Sequence, residues 1–600
     1  MTRFDTGHAF FMAEKNDVFS KNRYTWIPTI QWNLHIIQKF SPSPLGVILK
    51  QFVSLTPKLI DHTIMNKLIT LAFAIGLYSI PTAAQVMQSP EPVLNPESCT
   101  SIMVGKKAST DGSVMTSHTC DSNYRTWMDI VPSATYENDT TTAIYTGRMH
   151  TEYDQGMRGM ILKGNIPQAK STYQFLNTSY PCLNEKQLGI GETTISGRKQ
   201  LVNKDGMFMI EELQRIALQR ASTAREAIRL MGQLIEKYGY GDWGECLTIA
   251  DPKEVWHFEV FGEGPDKIGG VWAAIRIPDE HVGVSANIPR ISKVDPKDTE
   301  NCMASANVFE VAKKLGFWDG KKPFRFWEAY AGGNYAGELK SFSIREFFIL
   351  NKLAPSLNLS YEAEELPISV KPDKPVSAAE VMALLSETYE GTEYDMTKNL
   401  KVTVKKKGTT EEDTIVSPMA NPWMTRDMVS MLNGLKGDAV KSYRLVAVPQ
   451  CSYSTVIQLR DWLPDAVGGL VWMSYDNPGQ SPRIPIFCGT TDLPACFKIC
   501  GQHRYREDAA VWAFRRANKL ATVKWGATKD LMNTSIAHFI EKGQSELPFV
   551  ESRYKEIQAS KGENAARAFL TGYTADFAGA TMLRWNEMGD SFWNMFERGF

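Results

Sequence analysis

Cys99 opens a strand-like run, "CTSIMVGKKA", directly after a short polar stretch, "QVMQSPEPVLNPES". A thiol attacks as its thiolate, and at an ordinary pKa of about 8.5 only a few per cent is ionised at neutral pH. If Cys99 begins the mature chain, its own α-amine, with a pKa of about 7.7–8.0, accepts that proton and later returns it to a leaving amine. Such a pair needs no histidine. It does need donors for the tetrahedral oxyanion, and Asn side chains or turn amides serve. Other chemistries lack their motifs: there is no His-Glu-x-x-His, no pair of Cys-x-x-Cys, no Gly-Lys-Ser/Thr phosphate loop and no Gly-x-Ser-x-Gly elbow. Neither a metal nor a cofactor is expected.

Positioning the thiol falls to the elements around it. "CTSIMVGKKA" and "SVMTSHTCDS" read as two strands about the turn "STDG". Folded symmetrically about Thr110 and Asp111, the hairpin sets Cys99 opposite Ser122 and brings the Asp121 carboxylate to the thiol. Residues 171–196 alternate β-formers about a turn at Asn184-Glu185-Lys186, and 208–237 carry a helical apolar repeat. Short strands follow at "CLTIAD", "EVWHFEVFG", "GVWAAIRIP" and "HVGVSANI", then at "YRLVAVPQ", "YSTVIQLR" and "GGLVWMSYD". From about 506 the pattern is helical to the end, with aromatic residues on apolar faces. The whole reads as a layered α+β protein, antiparallel sheets covered by helices. A Glu-, Lys- and Pro-rich stretch at 363–412 reads as an insertion carrying an exposed charged hairpin.

The chain has 600 residues, 43% hydrophobic and 22% charged, ample for a large core. Sixty-six Lys and Arg against 67 Asp and Glu leave no charge excess to recruit nucleic acid or an acidic surface. "MNKLITLAFAIGLYSIPTAA", residues 65–84, has the order of a secretory signal: a Lys, an apolar run, then small residues. That run is too short to span a bilayer comfortably, so no stable membrane insertion is expected. Met65 is then the initiator, 1–64 an upstream over-extension, 85–98 a pro-segment, 99–505 the catalytic domain and 506–600 a helical C-terminal segment. Export to a periplasmic or extracellular compartment permits disulfides, and with Cys99 set aside eight cysteines remain. Most read as small core residues, with room for one or two bridges.

Four blocks resemble a known family in order: "CTSIMVGKKASTDGSVMTSHTCDS", "LNTSYPCLNEKQLGIGETTISG", "ECLTIADPKEVWHFEVFG" with "GVWAAIRIPDEHVGVSANI", and "GGLVWMSYDNPGQSPRIPIFCGTTDLP". They look like the cysteine dipeptidases among the N-terminal nucleophile hydrolases, relatives of penicillin V acylases and bile salt hydrolases. The resemblance implies a four-layer αββα sandwich, Cys99 as nucleophile, Asp121 holding amine and thiol, and Asn184 as an oxyanion donor with Asn287 as a second. The competing readings are a turn-forming Asn184 and a strand-end Asn287. Two positions depart from the pattern: His118 stands where the acylases carry Arg, and Cys120 where related dipeptidases carry an acid.

The function so implied is an exported dipeptidase acting on small peptides, activated by autocatalytic cleavage of Ser98–Cys99 and working through a thioester. Rivals are an N-acyl amidase with the same machinery and a non-catalytic exported binding protein using its Trp residues. Homo-oligomerisation stays open. Mass spectrometry of the native protein should find no peptide from residues 1–64; abundant peptides there would overturn the Met65 start.

Overall fold

The structure, a computed structural model, describes residues 98–152, 159–332 and 340–597. All lie in the second of two units in the chain, Leu94–Phe600. The signal-like segment and residues 85–97 fall outside the described residues.

Two antiparallel sheets form the centre. The first runs β12 (Ser369–Val370), β10 (Val282–Ser285), β1 (Ser101–Val104), β2 (Val114–Asp121), β13 (Cys451–Leu459), β14 (Leu470–Tyr475), β15 (Ile484–Phe487). The second runs β11 (Cys302–Ala304), β9 (Gly270–Ile277), β8 (Val255–Gly262), β7 (Glu245–Ala250), β6 (Gly189–Thr194), β5 (Leu183–Asn184), β4 (Phe175–Asn177), β3 (Asp129–Val131). The sheets face each other through β1, β2 and β13 against β6, β7 and β8. Helices α1 (Ile210–Arg220) and α2 (Ala224–Tyr238) cover the second sheet. The first is covered by α3 (Lys340–Leu353), α4 (Ala378–Leu385), α5 (Ala510–Val523) and α7 (Glu563–Met595), with α6 (Trp525–Lys561) packed on α5 and α7. This is the four-layer αββα sandwich with its helical C-terminal region. Among the described residues no helix is long and apolar enough to cross a membrane.

Strands covered on both faces lose the usual alternation, and all eight residues of β2 are buried. The inner faces are partly polar and satisfied across the sandwich: Thr116 and Thr248 hydroxyls meet at 2.6 Å, as do those of Thr193 and Ser285. Such contacts require close approach. A Cβ on Gly191 would lie 2.2 Å from the Ser117 carbonyl oxygen and 2.6 Å from Thr248 Oγ1. Gly191 therefore sets the spacing of the sheets beside β1 and β2.

The hairpin register differs from the expected one. Val104 pairs with Met115, the Thr119 amide donates to the Thr100 carbonyl at 3.0 Å, and the Ser98 amide to the Asp121 carbonyl at 3.3 Å. This sets Ser98 opposite Asp121 and Cys99 opposite Cys120, not Ser122. The cause is the connection, Gly105 to Ser113, which docks elsewhere instead of closing a four-residue turn. The Gly105 and Ala108 amides donate to the carbonyls of His281 and Asp279, each at 2.9 Å.

No disulfide forms: all nine cysteines are free, seven of them buried as core residues. The charged run makes an exposed two-stranded hairpin, Lys401–Lys405 with Glu412–Val416.

A methyl group at residue 191 should be costly, and one on an open helix face should not. Gly191→Ala should lose at least about 2 kcal/mol through overpacking. Gly572→Ala, exposed within α7 with nothing near its added Cβ, should gain about 0.5–1 kcal/mol. Denaturant titration of both variants checks the pair.

Candidate active site

Cys99 precedes β1, fully buried, and its backbone is gripped at both ends. Its amide donates to Asn287 Oδ1 at 3.0 Å, and its carbonyl accepts from Arg345 Nη1 at 2.7 Å. Arg345 Nη1 also donates to Thr100 Oγ1 at 2.9 Å, while Nη2 donates to the Ala286 carbonyl at 2.7 Å and Asn287 Oδ1 at 2.8 Å. Asn287 follows β10 with φ at 63°, a left-handed conformation that Asn tolerates better than most residues. Its Nδ2 donates to the Thr194 carbonyl at 2.7 Å, so the amide bridges the two sheets.

Burial pushes the Cys99 thiol well above its ordinary pKa, and the charges of Glu192, Cys120 and Asp121 push the same way. A backbone hydrogen bond from Asp121 opposes them. With Ser98 attached, the thiol stays protonated. Beside it, a ring nitrogen of His118 and a carboxylate oxygen of Glu192 lie with Sγ inside a sphere of contacts no longer than 4.8 Å. This sulfur, nitrogen and oxygen set is the group of described residues that could hold a metal ion.

His118 Nδ1 lies 2.8 Å from the Glu192 carbonyl, an acceptor that fixes the proton on Nδ1 and leaves Nε2 as a buried lone pair without a partner. Burial lowers its pKa to about 4, so the ring is neutral at neutral pH. Glu245, diagonal to Glu192 on β7, has its carboxyl held well above the usual range by burial and then by the Glu192 charge. Glu245 therefore keeps its proton well above the pH at which exposed carboxyls lose theirs.

Asp121 closes the other side. Its Oδ2 accepts from Thr119 Oγ1 at 3.0 Å and Arg444 Nη2 at 2.9 Å, while its main chain meets Ser98 and the Cys99 thiol. Its carboxylate does not take the Cys99 amide, which goes to Asn287.

Cys99, Asp121 and Asn287 are thus brought together, and Asn184 is not. Asn184 Nδ2 donates to the carbonyls of Leu218 and Ala221, both at 2.8 Å, and Oδ1 accepts from the amides of Lys186 and Leu188, both at 3.0 Å. With both N–H groups spent on the end of α1, it has none for an oxyanion. It is the turn former that ties the β5–β6 connection to a helix C-terminus. Asn287 stays in the site, where its oxygen takes the Cys99 amide and one of its two N–H groups goes to the Thr194 carbonyl.

Sequence reasoning passed over Arg345, Glu192 and Arg444. Arg345 had a signal: in "SIREFFIL" it stands among apolar residues on a helix, where a charge calls for buried acceptors. Glu192 in "GIGETT" is likewise a carboxylate inside a strand of β-formers.

Two experiments separate these roles. Asn184→Ala should cost roughly 3 kcal/mol of stability through unpaired backbone groups yet leave peptide turnover per folded molecule unchanged. Asn287→Ala should lower turnover about 100-fold by misplacing Cys99. Because the His118 pKa is lower folded than unfolded, the stability tied to its neutral form is full above about pH 6.5 and is lost as pH falls toward 4. Unfolding of the parent and His118→Asn at pH 7 and 4.5 should show the parent losing more.

Comparison with known proteins gives this geometry a family. A probable dipeptidase of Latilactobacillus sakei is 24% identical over 435 residues, 72% of this chain and 82% of the relative. A probable dipeptidase of Salmonella dublin is 24% identical over 408 residues, 65% and 81%. Probable dipeptidase A of Streptococcus pyogenes serotype M1 is 21% identical over 474 residues, 76% and 88%. Among solved structures, a penicillin V acylase from Agrobacterium tumefaciens aligns over 65% of this chain and 86% of its own, with 12% identity and a TM-score of 0.24, too loose a superposition to bear on the site. The model of peptidase family C69 matches residues 98–538. That match begins one residue before the buried thiol and runs through both sheets, and the chain belongs to peptidase family C69.

Proposed function

We propose that this peptidase is an exported dipeptidase whose nucleophile is Cys99, exposed as a chain terminus by cleavage of Ser98–Cys99. The observation that carries the reading is the Glu192 carboxylate within 4.8 Å of Cys99 Sγ. In a peptide attacked at its first carbonyl, the free α-amine is two bonds from the reacting carbon, within ion-pair reach of a carboxylate so placed. An acylated nitrogen carries no charge to offer it. The N-acyl amidase would call instead for an apolar surface beside the thiol, where His118 and Glu192 stand.

In the reaction, the Cys99 thiol proton passes to the α-amine as Sγ bonds to the substrate carbonyl carbon. The resulting ammonium protonates the leaving nitrogen as the C–N bond breaks, leaving a thioester. Water, losing its proton to the amine, attacks the thioester, releases the first amino acid and restores the thiol. The same atoms perform maturation. Sγ attacks the Ser98 carbonyl carbon, the bond to the Cys99 nitrogen breaks as that nitrogen gains the thiol's proton, and water hydrolyses the resulting thioester to a Ser98 carboxylate and the free thiol. Arg444 Nη2, 3.3 Å from the Ser98 carbonyl oxygen, is a donor for the oxyanion of that step. Maturation also relieves the thiol, by opening its burial and supplying a base.

Cys99→Ala should accumulate with residues 85–98 attached and hydrolyse no dipeptide, whereas Cys120→Ala should still mature, as read by intact mass and N-terminal sequencing. A trimmed and active Cys99→Ala protein would refute the assignment. Glu192→Gln should lose preference for a dipeptide over its N-acetyl derivative; an unchanged ratio of kcat/KM would favour the amidase.

A further inference from the structure

Arg444 precedes β13 in sequence, and its side chain is only 9% exposed. Its Nη2 donates to Ser98 Oγ at 2.6 Å, to the Ser98 carbonyl at 3.3 Å and to Asp121 Oδ2 at 2.9 Å. Its Nη1 donates to the Leu445 carbonyl. Of the acceptors on Nη2, two belong to Ser98, the residue that departs in the proposed maturation.

Ser98 sits among buried charges. Arg345 and Arg444 lie close enough for each to oppose the other's charge, and Asp121 is the carboxylate that faces both. Arg345 otherwise donates to neutral oxygens, the Cys99 and Ala286 carbonyls, Thr100 Oγ1 and Asn287 Oδ1, and it also feels the Glu346 carboxylate, which Arg290 Nη1 faces at 3.5 Å. Arg444 itself has one carboxylate, Asp121, among its acceptors in this largely buried setting. Losing Ser98 would strip Arg444 of neutral acceptors without removing charge, and a desolvated cation with unfilled N–H groups is costly. An anion fits there.

We propose that Arg444 binds a carboxylate of the substrate in the space that Ser98 vacates, so that the pro-segment residue is a placeholder for the ligand. The inference rests on cleavage at Ser98–Cys99 and on the dipeptidase reading, and it deepens both. Glu192 offers a negative charge beside Sγ, and Arg444 a positive one beside the carbonyl bonded to the Cys99 nitrogen. A dipeptide is a zwitterion whose charges lie about 7 Å apart when extended, at 3.3–3.6 Å per residue. Held at both charged ends, it would present its one peptide bond to the thiol, and a longer peptide would place its carboxylate out of reach. The carboxylate has two possible sources, the dipeptide's C-terminus or an acidic first side chain.

The test compares kcat/KM for Ala-Ala, Ala-Ala-amide, Glu-Ala and Gln-Ala in the matured parent, Arg444→Gln and Arg444→Lys, with maturation verified by intact mass. If the C-terminus is bound, the parent should favour Ala-Ala over its amide by at least tenfold. Arg444→Gln should erase that ratio, and Arg444→Lys should recover part of it. If an acidic side chain is bound, it is the Glu-Ala to Gln-Ala ratio that should collapse. Equal losses on all four substrates, or no loss, would overturn the proposal and leave Arg444 a positioning residue for Asp121. Should the Gln variant fail to mature, the Lys variant carries the comparison, since it keeps the charge without the fork. Calorimetric titration with N-acetyl-alanine and its amide reads the anion site without turnover. Carboxylate binding that weakens in the variants supports the site even in a parent that cleaves no dipeptide, an outcome that would sink only the dipeptidase reading. Equal binding of acid and amide by parent and variants overturns the site itself.

Discussion

Asn287 Oδ1 accepts from the Cys99 amide and from the Arg345 guanidinium together, and the geometry at Cys99 depends on that shared oxygen. The same side chain reaches the second sheet through Thr194, so one amide fixes the start of β1 against both central layers. Arg345 completes the clamp by holding the Cys99 carbonyl. Its burial lowers its pKa to about 9, which still leaves a cation at neutral pH. A buried cation tolerates the loss of an acceptor poorly, so each contact it makes to residues 99, 100, 286 and 287 is enforced by the others.

The electrostatics around the thiol set rest and action against each other. Glu192 hinders ionisation of Cys99, yet a carboxylate in that place is what a substrate ammonium needs. Glu245 adds no second charge to the conflict, because burial and the Glu192 charge keep it protonated. Neutral His118 adds a lone pair without adding charge. With Ser98 attached, the Cys99 thiol is held protonated. An α-amine and an incoming cationic substrate would each change that balance in the same direction.

The two asparagines show how far local sequence reaches. Both stand at strand ends in polar turns, and nothing local distinguishes them. Asn184 spends both N–H groups on the C-terminal carbonyls of α1, whereas Asn287 reaches Cys99, Arg345 and Thr194. The hairpin is a similar case. Its strands are plain from their β-rich runs, but its register is set by where the 105–113 connection docks on residues 279 and 281, contacts invisible from the turn alone.

Sequence alone determined the strands, the long helices, the layered α+β class and the singular place of Cys99 after a polar segment. These follow from periodicity and from the chemistry of one residue, and neither needs distant partners. The tertiary structure decided what surrounds that thiol. Asn287, Arg345 and Arg444 lie 188, 246 and 346 residues from their partners at positions 98 and 99, so their roles rest on separations that no local pattern encodes. What brings them together is the burial of two sheets face to face, with Gly191 permitting the close approach and the polar groups trapped between having to find one another.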